Sequence, residues 1–583
     1  MGWLDSPELV AASSSLGVAH SPGHPIPAML GWLASLFPVG DVAFRVNLAS
    51  ALAGATAAGA VYLAAAELLR QISPNLSKLV RRTAAVGAAL SFAACGAAWL
   101  QAVRAEVYSL QIALLAGTLA ALLRYHRCDD GRWLALAGLL AGLGLANHHF
   151  MALLVVVPAS VFVFARGAAK RPGASTIAAT ALLGVLGVAA LLYLPVRSSQ
   201  HPEVDWAAPH TADRFAWTVS ARAFQKSATS KFATSRSQAA RQATMAVVEN
   251  TSEVLVVAAF IGLALAFRRR RHRAVLCLLA AVTVTTIAAR TLVGFDPAVP
   301  DHLAYLLPGI LSAMLLGVAG LALVAEWLPL EAGDTAQRRV RTALVCLPAA
   351  LVVLQVWRLD AGHGYRDGYA ADALARWELD DLPPRSVVLL AYFQTSFRVE
   401  ALRAVDHARP DVAILDRGLT YPGAAAEAKR RYPTLAPVID AGITVTKPLP
   451  LTALRALARK RPVFVQLDPI GAGNQTAYLL PAGPYARLVP DPVQAGLRRA
   501  VELEDVAAAV ALQRRLASDS PADRKPVTEA MLWNDYLRMR FYCRAERTTA
   551  AQAAYESARA LAPADEQLAA DAGRCGLTAS APK

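Results

Sequence analysis

The chain has 583 residues, of which 55% are hydrophobic and 17% charged, with a mean hydropathy of +0.38. A water-soluble protein of this size could not hide so much apolar side chain, and disordered, collagen-like and small disulfide-bonded classes are likewise excluded. The 58 Lys and Arg against 43 Asp and Glu give a net charge of +15. These cations sit in short clusters between apolar runs without interleaved aromatics, which is a membrane-topology pattern and not a nucleic-acid surface.

The first motif in chain order is Trp3-Leu4-Asp5-Ser6-Pro7-Glu8-Leu9. Asp5 can act as a helix N-cap with Glu8 closing a capping box, or its carboxylate can serve as a general base. Only Met1–Leu4 precede it, so no cleavable signal peptide is expected. His20-Ser21-Pro22-Gly23-His24-Pro25 follows, a turn whose histidines either touch a phosphate or line a loop.

Apolar stretches of spanning character then occur near 45–69, 83–101, 107–123, 133–146, 150–165, 176–195, 252–267, 274–289, 303–325 and 341–357. If Asp5 lies outside the cytoplasm and each stretch crosses once, the basic clusters fall on one side. They are Arg70, Lys78, Arg81 and Arg82; Arg124, Arg127 and Arg132; Arg166, Lys170 and Arg171; Arg268–Arg271 and Arg273; and Arg338, Arg339 and Arg341. Reading 133–165 as one span would throw the later clusters to the wrong side, so a hairpin with its tip at Asn147-His148-His149 is expected. The same topology gathers Asp5, Glu8, His20, His24, Arg104, Glu106, Asn147, His148, His149, Arg197 and Asp205 at the opposite, extracytoplasmic face. Such convergence in greasy sequence suggests a shared polar cavity.

Taken singly, these groups have plain alternatives. Arg104 and Glu106 could be an ion pair at a turn. Adjacent His148 and His149 point about 100° apart on a helix, which suits hydrogen bonding better than joint metal ligation. Arg197 at a span end could snorkel or clamp a lipid phosphate. Beyond 358 the composition is that of a soluble region. Short apolar runs at Ser386–Leu390, Asp411–Leu415 and Pro462–Leu467, with a helical stretch near 397–408, imply a small α/β domain. No phosphate-binding glycine motif follows these strands. An Ala-rich helical pattern runs from about 495 to 572 and faintly resembles one tetratricopeptide unit. Of the six cysteines, Cys95, Cys128, Cys277 and Cys346 read as buried thiols, whereas Cys543 and Cys575 can pair if the tail meets an oxidising compartment.

The strings DSPEL, AHSPGHP, FRVNLASAL, AEVYSL, LANHHFM, YLPVRS with VDW, and LPPRSVVLLAYF with RPDVAILD occur in that order from Asp5 to Asp416. Each is weak alone. Together they resemble the bacterial membrane family catalogued as domain of unknown function 2723 (DUF2723), similar to protein O-mannosyltransferases and other GT-C glycosyltransferases. The resemblance implies a polytopic GT-C-like membrane protein, with Asp5 as catalytic base and Glu8 as its partner. His20, His24, Arg104, Glu106, Asn147, His148, His149 and Arg197 would surround the donor phosphate and sugar, and Asp205 and Trp206 would serve the acceptor or a loop. Three positions differ from the family pattern: Ser21 stands for a second Pro, His24 for an aromatic, and Ala207-Ala208 for Gly and an acid. The family also carries a transmembrane helix before the acidic motif, so a translation start upstream of Met1 is expected.

The expected activity is inverting transfer of a sugar from a polyprenyl-phosphate-linked donor to a protein Ser/Thr or glycan hydroxyl, in a bacterial inner membrane with the C-terminal region extracytoplasmic. The scheme needs no cofactor or metal, and a divalent ion at His148 or His149 is left open. The expected partners are membrane lipid, the lipid-linked donor and the acceptor, with no nucleic acid. The expected domains are 1–357 (transmembrane), 358–490 (α/β) and 491–583 (helical). Rival readings are a transporter or lipid-carrier flippase, which predicts repeated halves that are not visible, and a non-catalytic membrane assembly protein.

Overall fold

The computed structural model describes residues 5–165, 171–229, 235–270, 272–297, 299–327, 335–362, 370–380, 382–418, 420–468, 476–493 and 521–578. Arg166, Lys170 and Arg271 of the basic loops, and 495–520 of the expected helical tail, lie outside them. The chain divides into two units. One comprises Leu16–Pro202 and Phe215–Gly364, the other Met1–Ser15, Glu203–Arg214 and Tyr365–Lys583. This differs from the expected division in two ways. Residues 1–15 and 203–214 go with the polar unit, and the α/β and helical regions share that unit.

The first unit makes the chain a polytopic helical membrane protein. Seven helices among the described residues are long and apolar enough to cross a bilayer: Val42–Ile72, Tyr108–Cys128, Gly131–Phe164, Ala174–Ser198, Arg273–Val293, Leu307–Trp327 and Arg338–Leu359. Two bent pairs raise the number to nine, namely Lys78–Ala93 with Gly96–Ala102 (67°) and Arg236–Thr251 with Glu253–Arg269 (99°). The stretches expected as straight spans at 83–101 and 252–267 are therefore a broken helix and the second arm of a bent one. The latter breaks at Ser252, whose φ of 89° no helix accommodates.

Gly131–Phe164 would be about 50 Å long if straight, too long for a bilayer core of about 30 Å. Its backbone leaves the helical region at His148 (φ −155°, ψ 87°). Just before that break, Asn147 Nδ2 donates to Val107 O (3.1 Å) and Gln111 Oε1 (2.8 Å), at the start of Tyr108–Cys128. At the far end of that same helix, the Arg124 guanidinium lies 4.4 Å over the Trp133 ring and the His126 and Phe162 ring centroids are 5.1 Å apart. Trp133 and Phe162 thus share one end of the unit and Asn147 occupies the other. The segment folds back on itself at His148, as the charge distribution requires. Counting its arms separately brings nine spans to the expected ten.

Close helix packing is set by small residues. A Cβ at Gly142 would run into the carbonyl of Gly184, and one at Gly320 into that of Ala258, so only glycine lets these backbones approach. At the Trp133 end, buried Glu67 is surrounded by cations, with Arg70 at 2.8 Å, Arg124 at 3.9 Å and Arg127 also bonded. Cys95 is buried, but Cys346 is only half-buried and Cys128 and Cys277 are exposed, contrary to expectation.

In the polar unit, β1 (Val387–Leu390), β2 (Ala413–Asp416), β3 (Val463–Val465), β4 (Leu479–Ala482) and β5 (Tyr485–Leu488) form one sheet in the order β2-β1-β3-β5-β4. The first three strands pair in parallel, and β5 is antiparallel to both β3 and β4. Val387 and Leu389 face one apolar cluster with Leu435, Val438 and Leu454, whereas Val388 and Leu390 face another with Val399 and Leu402. Both faces are covered, which explains the unbroken apolar runs read in the sequence. The three expected strands are present; the β4–β5 hairpin is additional. Helix Ser6–Ser14 is buried along nearly its whole length and packs on helix Phe393–Asp406, which is why the first residues join this unit. Helices Pro521–Arg544, Thr548–Leu561 and Glu566–Arg574 complete it, closed by a Cys543–Cys575 disulfide.

Candidate active site

The fold of Gly131–Phe164 at His148 puts an imidazole and an amide at one end of the membrane unit, and other polar groups meet them there. His24 Nδ1 lies 2.9 Å from Asn147 O. A carbonyl only accepts, so Nδ1 carries the proton. Burial holds the His24 pKa well below the usual value, and the nearby His20 and His148 imidazoles push it the same way. His24 is thus neutral and presents Nε2 as an acceptor. Ring centroids of His20 and His24 are 5.0 Å apart, and those of His24 and His148 6.0 Å. His149 stacks beside His148 at 6.4 Å.

Tyr305 is a second neighbour of His148 and the hub of a ring cluster. Its ring lies 5.3 Å from His148, 5.8 Å from Tyr108 and 5.6 Å from Phe150. The Arg290 guanidinium sits 5.0 Å over the Tyr305 ring, a cation–π contact. Arg290 is 3% exposed and donates from Nη2 to Gly294 O, yet no carboxylate pairs with it and its Nε has no partner among the described residues. A buried cation without a counter-ion is costly, and the arrangement is suited to receive an anion.

Arg104 is held differently. It contacts Glu106 at 3.1 Å, Asp301 at 2.6 Å and Gln101 at 2.7 Å. Burial alone would lower its pKa, but the two carboxylates raise it above the usual value, so its charge is permanent and paired within the protein. The pair anchors the loop before Tyr108 to the short helix Pro300–Ala304, which leads into Tyr305. In that helix His302 is lowered to about 4, by burial first and then by Arg290. Arg197 ends its span with Nε donating to Leu16 O at 2.7 Å and Nη1 to Gln200. Tyr193, one turn earlier, donates to Gly17 O at 3.0 Å. Arg197 therefore fixes the start of the segment that carries His20 and His24.

Asp5, Glu8, Asp205 and Trp206 belong to the polar unit. Asp5 occupies the N-cap position of Ser6–Ser14, but its side chain makes no capping bond. Its carbonyl accepts from Leu9 N at 2.9 Å. Glu8 is fully buried. Trp206 stacks on Tyr421 (4.7 Å, 20°) and packs against Phe397 at 5.6 Å. Ala207 and Ala208, which follow it, have φ of 56° and 43°. This left-handed conformation favours glycine, the residue that the family pattern has first at this pair.

The structure thus gathers His20, His24, Asn147, His148 and His149 in one place and ties Arg104–Glu106 and Arg197 to the segments that hold them. Sequence reasoning missed Tyr305 and Asp301, which sit in no motif, and Phe150, which lies in the LANHHFM string but was not singled out. Arg290 left a trace, being one of the few cations in the short loops opposite the basic clusters.

Residues 5–172 match the family model described as the N-terminal domain of protein O-mannosyl-transferase TMEM260. Protein O-mannosyl-transferase TMEM260 of Mus musculus is 30% identical over 199 residues, which cover 33% of this chain and 27% of that protein. The chain thus spans about a quarter of the length of that curated relative. Crystal structures of ArnT from Cupriavidus metallidurans, bound to undecaprenyl phosphate and in the apo state, each have a TM-score of 0.49. They are 13% and 14% identical, and the alignments cover 84% of this chain and 93% of those chains.

Proposed function

We propose that the chain is a membrane glycosyltransferase of GT-C type. It moves a sugar from a polyprenyl-phosphate-linked donor to a hydroxyl acceptor at the extracytoplasmic face, with inversion. The observation that carries this reading is the convergence of His24, Asn147, His148, Tyr305 and Arg290 at one end of the membrane unit. The matched segment 5–172, which contains Asp5, Glu8, His20, His24 and Asn147–His149, supports it. The Arg70–Arg124–Arg127 cluster at the opposite end supports the face, by the positive-inside rule. The Cys543–Cys575 disulfide supports an extracytoplasmic C-terminal region, as in a multi-pass protein of a bacterial inner membrane.

In the reaction, the Asp5 carboxylate takes the proton of the acceptor hydroxyl and Glu8 neighbours it on the same helix. The acceptor oxygen forms a bond to the anomeric carbon as that carbon's bond to the phosphate oxygen breaks in line. The phosphate leaves with the electron pair, so configuration inverts. Arg290 and Arg197 meet the charge where it develops, and the neutral His24 accepts from a sugar hydroxyl. Arg104, paired with Glu106 and Asp301, orients the loop that presents Tyr108.

The test is transfer by the purified protein supplied with polyprenyl-phosphate sugars. Asp5→Asn should lower the rate by about 10²–10⁴ with donor binding retained, the usual share of a general base. Undiminished transfer by that variant removes Asp5 from the role. Labelling of single cysteines should find the exposed position 410 accessible from outside; accessibility from the cytoplasm would overturn the proposed face.

A further inference from the structure

A cavity of about 390 Å³ lies wholly within the polar unit, where β2 ends at Asp416. In open α/β sheets this end of the parallel strands is where ligands bind, and the volume suits a small molecule. Five carboxyl groups line it, those of Glu203, Asp205, Glu400, Asp416 and Glu427, together with the guanidiniums of Arg403 and Arg431. The stacked rings of Trp206 and Tyr421 form part of the wall. Ser396 also lines it; its Oγ, on a side chain only 7% exposed, has no hydrogen-bond partner among the described residues.

This lining discriminates among ligand classes. Carboxylates outnumber guanidiniums, which opposes an anion. Of this wall, Asp205 and Glu427 belong to a group of metal-type ligands close enough to share one ion, but two carboxylates are few for a hard cation that takes six or more oxygens. An apolar molecule would strand Ser396 and the charged groups without partners. What fits is a neutral ring bearing several hydroxyls. Its O–H groups donate to the carboxylates, its oxygens accept from Arg403, Arg431 and Ser396, and the flat Trp206–Tyr421 wall covers its C–H face.

We propose that this cavity binds one pyranose unit of a glycan and that this sugar is the acceptor. That a pyranose binds rests on the cavity alone; that it is the acceptor rests on the transfer activity proposed above. The link between the two is local to this unit. Glu400 lies on helix Phe393–Asp406, against which Ser6–Ser14 packs, and Glu8 is close enough to act electrostatically on Glu400. The helix carrying Glu8 begins at Asp5, so the cavity wall and the proposed base are borne by two packed helices.

The test is isothermal titration of the full-length protein in detergent with methyl α-mannopyranoside, methyl β-glucopyranoside, a Ser/Thr-rich peptide and a simple alkylamine. At least one pyranoside should bind saturably, in the millimolar range or tighter. Glu400→Gln, which keeps shape, and Ala424→Leu, which fills the cavity from its wall, should each weaken that binding at least about tenfold. If Ala424→Leu does not fold, the near-isosteric Glu400→Gln carries the test. In transfer assays Glu400→Gln should raise the acceptor KM and leave the donor KM alone. Binding of the peptide or amine with none of either pyranoside overturns the proposal, as does pyranoside binding indifferent to both variants. Transfer to the peptide without pyranoside binding overturns it and leaves the transfer reading standing. Pyranoside binding without any transfer upholds the cavity's ligand and overturns its acceptor role and the transfer reading together.

Discussion

Arg290 is held by one carbonyl and one aromatic face, with no carboxylate to balance it among the described residues. Function and stability should therefore respond in opposite directions when it is changed. Arg290→Met should raise the melting temperature by removing an uncompensated buried charge. It should also weaken binding of the polyprenyl-phosphate-linked donor proposed above by about one and a half to three and a half orders of magnitude, in line with about 2–5 kcal/mol for truncating a buried charged contact. A variant that melts lower and binds the lipid normally would make Arg290 a structural residue. Glu378 offers a pH test in the polar unit. Burial pushes its carboxyl up to about 8, although Gln466 Nε2 donates to it at 2.6 Å. The folded protein therefore holds a proton that the unfolded chain releases near pH 4.5, and stability falls as pH rises from there to about 8. Glu378→Gln should be near neutral at pH 4 and stabilising by a few kcal/mol (order of magnitude) at pH 8–9. Melting curves at both pH values check it, and a pH-independent difference would refute it.

At the scale of elements, how far the sequence could be read depended on which signal each element leaves. Hydropathy alone could not separate the two arms of Gly131–Phe164, since each is short and both are apolar. The basic clusters could, because charge asymmetry reports the number of crossings between them. The bend at Ser252 left no comparable trace: the polar stretch before it, Arg236–Thr251, reads as loop by hydropathy yet is helical. β1, β2 and β3 were legible because they are buried on both faces. β4 and β5, four residues each and less uniformly buried, were not. The last three helices form a small cluster around Tyr536, Met539, Tyr542 and Tyr555, bridged by Cys543–Cys575 across 32 residues. Replacing both cysteines with serine should cost about 2–5 kcal/mol and open Glu566–Arg574 to proteolysis first. Unchanged cleavage there under non-reducing conditions would show that packing alone holds the helix.

For the whole molecule, composition and charge were sufficient to reach a polytopic helical protein with a polar C-terminal part, because bilayer insertion leaves a strong compositional mark. Which stretch belongs to which unit was beyond them. Nothing local in Ser6–Ser14 reveals that its partner is Phe393–Asp406, and nothing in Val204-Asp205-Trp206 points to Tyr421. The same holds at the candidate site. Histidines in short motifs drew notice, while Tyr305 and Asp301 gained meaning only once the helices were assembled around His148.

The polar unit's three separate stretches set an order of events during synthesis. Leu9, Val10, Ala11 and Ala12 are all buried in the finished protein, and the helix that shields them is made almost four hundred residues after them. At roughly 5–20 residues per second this interval lasts tens of seconds. Throughout it the helix that starts at Asp5 lacks its permanent cover, so the proposed base can take up its final setting only after most of the chain has been translated.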